Sequence, residues 1–196
     1  MHPLSHEQIE QIFSHAEELK FDGKYSEALS ILEDLLVSDP DNVTALEELA
    51  DNELSLGQYE RARIAANRAL TLDPKSYTAH YILGFIASHF EDWHASVAEL
   101  RIANALEPNN PEILRCLGWS LFSSGKIVEG MVTLERALNL EDRNPLILCD
   151  LGVVYLQSKN FQKSKVLLKR ALDLDPRSVR VRECLEMVER IEKHVA

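Results

Sequence analysis

No run of apolar residues in this chain of 196 approaches the roughly 20 that a bilayer-spanning helix requires. The amino end, Met1-His2-Pro3-Leu4-Ser5-His6-Glu7, has no basic segment and no apolar core behind it. Neither a membrane span nor a secretory leader is expected, and the chain reads as soluble and cytoplasmic. Cysteine is scarce: Cys116, Cys149 and Cys184 are an odd number, each within an apolar helical pattern. No disulfide framework or zinc spacing follows from that, and buried, reduced thiols are the expectation. Bases are nearly missing from the first 60 positions, which hold 15 acids against Lys20 and Lys24. This stretch carries −13 and the remaining 136 residues +2, for −11 overall. Phosphate neutralisation needs basic surface, so a nucleic-acid partner is not expected, whereas a basic one is. The plainer reading of the same charge is a solvated end of the fold.

Chemistry is equally sparse. No phosphate-cradling glycine loop, zinc-type histidine pair or nucleophile elbow is present. His2 and His6 stand four apart, but His2 precedes the start of the first predicted helix, so no metal site is expected. Acidic neighbours such as Glu17-Glu18 and Glu47-Glu48 point apart on a helix and do not make a general acid–base pair. The chain is expected to be no enzyme and to carry no cofactor.

Glycine and proline are few, 7 each, and their placement is therefore informative. Pro40, Pro74, Pro108 and Pro176 stand 34, 34 and twice 34 residues apart, with Asp142 at the missing beat. Two residues after each mark comes a helix N-cap type: Asn42, Ser76, Asn110, Asn144 and Ser178. A fixed period of this length marks a repeat array, in which each unit buries its apolar face only against its neighbours. Repeat starts then fall at Ile9, Val43, Tyr77, Pro111 and Pro145. Each unit contains two apolar helical patterns around a short break, where Gly23, Gly57, Gly125 or Asn160 suits a left-handed helix end. Pro111 and Pro145 suit a first helical position, and Ser5 with Gln8 predicts a capping box. Small residues recur in register at position 8 (Ala16, Ala50, Gly84, Gly118, Gly152) and position 20 (Ala28, Ala62, Ser96, Gly130, Ser164). Glycine costs about 1 kcal/mol against alanine inside a helix. Its presence there predicts close helix crossing.

These residues resemble the tetratricopeptide repeat family, most fully in the fifth unit through Leu148, Leu151-Gly152, Tyr155, Ser164, Leu168, Ala171 and Pro176. The resemblance spans residues 9 to 178. It implies an all-α fold, a right-handed α-solenoid of five helix-turn-helix units at 9–42, 43–76, 77–110, 111–144 and 145–178. Residues 1–8 would lead into the first helix. Residues 179–196, with the stripe Val181, Cys184, Val188, Ile191 and Val195, would form a capping helix or, alternatively, a short dimerising coil.

The family lines a concave groove with the first helix of each unit, at positions 2, 5, 9, 12 and 13. By resemblance the groove residues here are Phe13, Glu17, Glu47 and Asp51 at an acidic end, then Tyr81 and Phe85. Arg115, Trp119, Phe122, Cys149 and Val153 would follow at an apolar end. The implied function is a non-catalytic scaffold holding a protein or peptide with apolar and basic residues. The clamp by which some members grip an acidic chaperone tail needs Lys and Asn where this chain has Phe13 and Glu17, so that ligand is not expected. A secretion or assembly chaperone shielding an apolar client is the alternative. Head-to-tail self-association, with the acidic front meeting Lys159, Lys163, Lys165, Lys169 and Arg170, is a further one.

Overall fold

The computed structural model describes residues 5–195; for Glu192, His194 and Val195 it describes the backbone alone. The expectation for His2 therefore lies outside the described residues, as does that for the Val195 side chain. Among the described residues there are helices and turns and no strand. The helices are α1 (His6–Phe21), α2 (Tyr25–Ser38), α3 (Val43–Ser55), α4 (Tyr59–Leu72), α5 (Tyr77–His89), α6 (Trp93–Leu106), α7 (Pro111–Ser123), α8 (Ile127–Leu140), α9 (Pro145–Gln157), α10 (Phe161–Leu174) and α11 (Val179–Val195). No described helix is long and apolar enough to cross a membrane.

The polar residues two places after each beat act as caps. The side chain of Asn42 accepts from Ala45 N at 3.0 Å, and Ser76 from Ala79 N at 2.9 Å. Asn110 accepts from Glu112 N and Ile113 N, and Asn144 from Leu146 N and Ile147 N, each ahead of a proline at the first helical position. A cap of this kind contributes about 1 kcal/mol by satisfying amides that have no partner within the helix. Ser5 and Gln8 close a reciprocal capping box on α1. Gly23, Gly57 and Gly125 end the first helix of their hairpins with φ of +75°, +71° and +88°. At the fifth hairpin the expectation is corrected. Lys159 takes the positive φ of +61°, while Asn160 is the N-cap of α10 and accepts from Lys163 N at 3.3 Å.

The chain forms two compact units that meet in the turn between α5 and α6, one reaching Phe90 and the other starting at Glu91. The first packs Leu46, Ala50, Ala62, Ala66, Ala79 and Ile82 into its core. The second packs Leu134, Leu148, Leu151, Val154, Leu168 and Val188. In the second unit α11 lies against α9 and α10, burying Val181 and Val188 and half-burying Cys184 and Ile191. Of the stripe proposed for a dimerising coil, Val181 and Val188 are thus covered by the chain itself, and Cys184 and Ile191 in part.

A device that periodicity did not reveal ties hairpins together. Three arginines at position 26 of their repeats reach the loop of the preceding repeat. Arg68 donates to the Pro40 carbonyl, Arg136 to the Asn109 side chain, and Arg170 to the Asp142 carbonyl at 2.9 Å. Asp142, which breaks the proline meter, still presents its carbonyl where Pro40 does, because the backbone turn is retained.

Candidate partner-binding faces

In the first unit the acidic stripe forms on α1 and α3. Lys20 of α1 pairs with Asp51 and lies 3.7 Å from Glu48, both on α3. Burial works to lower the Lys20 ammonium, but the hydrogen bond and charge of Asp51, with Glu48, outweigh it and hold it above its ordinary value. Burial raises the Glu48 carboxyl against the pull of Lys20. Glu47 accepts the hydroxyl of Ser76, and Glu17 stays exposed beside them. The two helices thus carry four carboxylates and one ammonium, which pairs with Asp51 and Glu48, and Glu17 adds its negative charge at the solvent face. Phe13 is half-buried against Ala16, Leu19 and Leu32. Tyr81 and Phe85 on α5 are half-buried, with ring centroids 6.3 Å apart.

In the second unit three of the expected groove residues are corrected to core positions. Phe122, Cys149 and Val153 are 8%, 4% and 9% exposed and belong to one apolar cluster with Val181 and Val188 of α11. Phe122 of α7 packs against α8 at Gly130, and for Cys149 and Val153 the physical reason is the added helix. The stripe on α9 that would be open if the array stopped at α10 is roofed where α11 packs on it.

The two remaining groove residues of this unit, Arg115 and Trp119, are built around a buried charge. Asp150 of α9 is only 2% exposed, a carboxylate inside an otherwise uncharged helix. Its Oδ2 accepts from Arg115 Nη1 of α7 at 2.9 Å, and its Oδ1 lies 3.0 Å from Arg180 Nη2 of α11. Arg115 also makes a two-pronged contact with Glu112, Nε to Oε2 at 3.0 Å and Nη2 to Oε1 at 2.5 Å. Burial opposes the Arg115 charge, but Glu112 and Asp150 outweigh it and raise the guanidinium above its ordinary range. Burial raises the Asp150 carboxyl against the attraction of both arginines. The Arg180 guanidinium lies over the Trp119 ring, 4.9 Å from its centroid, and Trp119 leans on Phe122.

Sequence reading found Arg115 and Trp119 but missed Asp150, Glu112 and Arg180. Position 6, where Asp150 sits, was outside the set of groove positions. The signal was present: Asp150 is the lone charge between Pro145 and Gln157. Among the described residues no group of three or more His, Cys, Asp or Glu side chains is arranged to hold a metal ion.

The thiols carry a direct prediction. Burial pushes the Cys116 thiol up to about 12 and the Cys149 thiol to about 11. The thiolate is the reactive form, so at pH 8 Cys116 holds roughly a thousandfold less of it than a free thiol. A disulfide reagent at pH 8 is expected to leave both unlabelled in the folded protein over the time in which Cys184, half-buried, begins to react. All three should label within seconds in denaturant, followed by absorbance. Prompt labelling of Cys149 in the native state would show that α11 does not stay on α9.

Tetratricopeptide-repeat family models match residues 13–84 and 146–178, together more than half of the chain. A comparison with curated proteins finds no match. Among solved structures, TTC0263, described as a thermophilic TPR protein of Thermus thermophilus, superposes with a TM-score of 0.74 at 20% identity. That match covers 91% of this chain and 97% of the other. YrrB, described as a TPR protein with an unusual peptide-binding site, gives 0.65 at 19% identity, covering 89% and 90%. MamA from Desulfovibrio magneticus RS-1 gives 0.68 at 16% identity, covering 87% and 96%. At these identities the likeness is one of fold, an all-α repeat solenoid.

Proposed function

The chain belongs to the tetratricopeptide repeat family, and on that premise we propose that it is a protein–protein interaction scaffold that holds a segment of a partner protein against its first-helix faces. Members of the family are generally non-catalytic scaffolds. The observation that carries the finer reading is the charge surplus on α1 and α3, where Glu48 and Asp51 pair with the ammonium of Lys20 and Glu17 and Glu47 add two carboxylates with no cation on them among the described residues. Such a face suits a basic segment, and complementary charge contributes mainly on-rate and specificity. Beside it in the same unit, Tyr81 and Phe85 offer half-buried rings to an apolar side chain, and Trp119 offers one in the second unit.

The test is capture from source lysate with three equally folded baits. These are wild type, Glu17→Lys with Glu47→Gln, and Phe85→Ala with Trp119→Ala. Glu47→Gln keeps a hydrogen-bond acceptor for Ser76 while removing the charge. A true partner is expected to fall at least fivefold on the charge variant, and its capture by wild type should weaken as salt rises. A partner held equally by all three baits, in low and high salt, would move the binding surface to the second helices and overturn this reading.

A further inference from the structure

We propose that Trp119 and Asp150 form a guanidinium-binding subsite, filled by the chain's own Arg180 until an arginine side chain of a partner peptide displaces it. This rests on the scaffold reading and names the chemistry that one of its faces recognises.

The first support is charge. Arg115, Glu112 and Asp150 form a packed set with one positive and two negative charges. Arg115 uses three of its donors on that set, so its pairing is complete without Arg180. Asp150 Oδ1 is then left over, on a carboxylate that is 3% exposed and cannot draw on bulk water. A buried, half-satisfied carboxylate is costly, so this position calls for a cation. The second support is shape. The cation must bring one nitrogen to Oδ1 while its centre stands over the Trp119 ring, as Arg180 does with Nη2 at 3.0 Å and Cζ at 4.9 Å. A guanidinium does both at once with separate atoms, whereas the single nitrogen of an ammonium has to serve the ring and the carboxylate oxygen together.

The third support is that the present occupant is exchangeable. Arg180 is in the first turn of α11, and its side chain is 53% exposed although the carboxylate it meets is buried. The hold of α11 on the unit comes from Val181 and Val188, one and eight residues further on, which are fully packed. Rotation of the Arg180 side chain alone therefore uncovers the ring and Oδ1 without lifting the helix, and exposed rotamers exchange in nanoseconds. Arg180 shows what the subsite takes, and it also taxes every competitor by the fraction of time the subsite is filled.

The experiment follows the Trp119 indole N–H by NMR in protein carrying Trp93→Phe, which leaves one indole. The probes are acetyl-arginine amide and acetyl-lysine amide. With Arg180→Ala, the arginine probe is expected to shift the indole saturably, with an apparent Kd roughly tenfold below that of the Arg180 protein. The lysine probe should bind at least fivefold more weakly. Asp150→Asn in the Arg180→Ala background should abolish the difference between probes. Arg180→Gln serves as a second opened variant should Arg180→Ala lower the helix content. Equal response to both probes, or no saturable shift in either opened variant at unchanged helix content, would overturn the subsite and leave Arg180 as a structural latch. The scaffold reading fails separately: it falls if capture ignores every face variant, whatever this titration shows.

Discussion

Gly130→Ala is expected to cost about 2 kcal/mol, lowering the thermal midpoint by roughly 4–8 °C for a chain of this length. Gly130 of α8 stands against α7 so closely that an added Cβ would lie 2.6 Å from both the Gly118 carbonyl oxygen and the Phe122 amide nitrogen. Both obstacles are backbone, so no side-chain rotation relieves them and the two helices must part. Overpacking of this kind costs about 1–3 kcal/mol and sometimes more. The helix-propensity gain of about 1 kcal/mol for alanine over glycine offsets part of it. Gly118→Ala should cost less, because its nearest obstacle is the Leu134 side chain at 2.7 Å and the backbone atoms there, Gly130 O and Leu134 N, stand further off at 3.0 and 3.1 Å. Gly152→Ala should cost least, because its close obstacles, Leu168 Cδ2 and Cγ at 2.9 Å, are side-chain atoms and the nearest backbone atom stands 3.6 Å away. Urea unfolding of the three variants, followed by circular dichroism, checks both the magnitude and the order. A neutral Gly130→Ala would show that α7 and α8 already sit further apart.

That order also marks how far the sequence could be read. Glycines in register at positions 8 and 20 predicted close crossing, and Gly118 and Gly130 do face one another. Which of the two was tighter depends on a few tenths of an ångström of backbone placement, which no period encodes. The caps were legible for the same reason the glycines were: a helix end needs an oxygen at a set place, and Asn42, Ser76, Asn110 and Asn144 supply it. The binding faces were only partly legible. Position counting placed Cys149 and Val153 on an open stripe because it stopped at the fifth proline, and Phe122 because the close α7–α8 crossing at Gly130 was not resolved by it. The 34-residue register runs on for one more helix, and α11 takes the place that a sixth first helix would occupy. Counted that way, Arg180 falls at position 2, in the set read as facing the groove. The same rule that overestimated the apolar surface would have found the arginine that sits on Trp119.

Asp150→Ala is expected to destabilise by about 3 kcal/mol, the lower end for breaking a buried ion pair, because Glu112 still holds Arg115. Arg180→Ala should cost about 1–3 kcal/mol, because Oδ1 of the buried Asp150 loses its cation although the arginine itself is half in solvent. The double variant should cost little more than Asp150→Ala alone, because the carboxylate that Arg180 serves is already gone. Hydrogen exchange should show amides of the first turns of α11 losing protection in all three variants, with α7 and α9 unchanged in Arg180→Ala. The decisive variant replaces both buried charges with apolar residues of similar size, Arg115→Met with Asp150→Leu. Buried ion pairs are frequently no more stabilising than well-packed apolar replacements. That pair is therefore expected to regain most of the stability that Asp150→Ala loses, as read by the urea midpoint. A fold that is as stable without its buried carboxylate has no structural need of one. Asp150 is then explained by what its free oxygen meets at the surface of Trp119. A double variant that stays as unstable as Asp150→Ala would instead assign the carboxylate to holding α7 and α9 together.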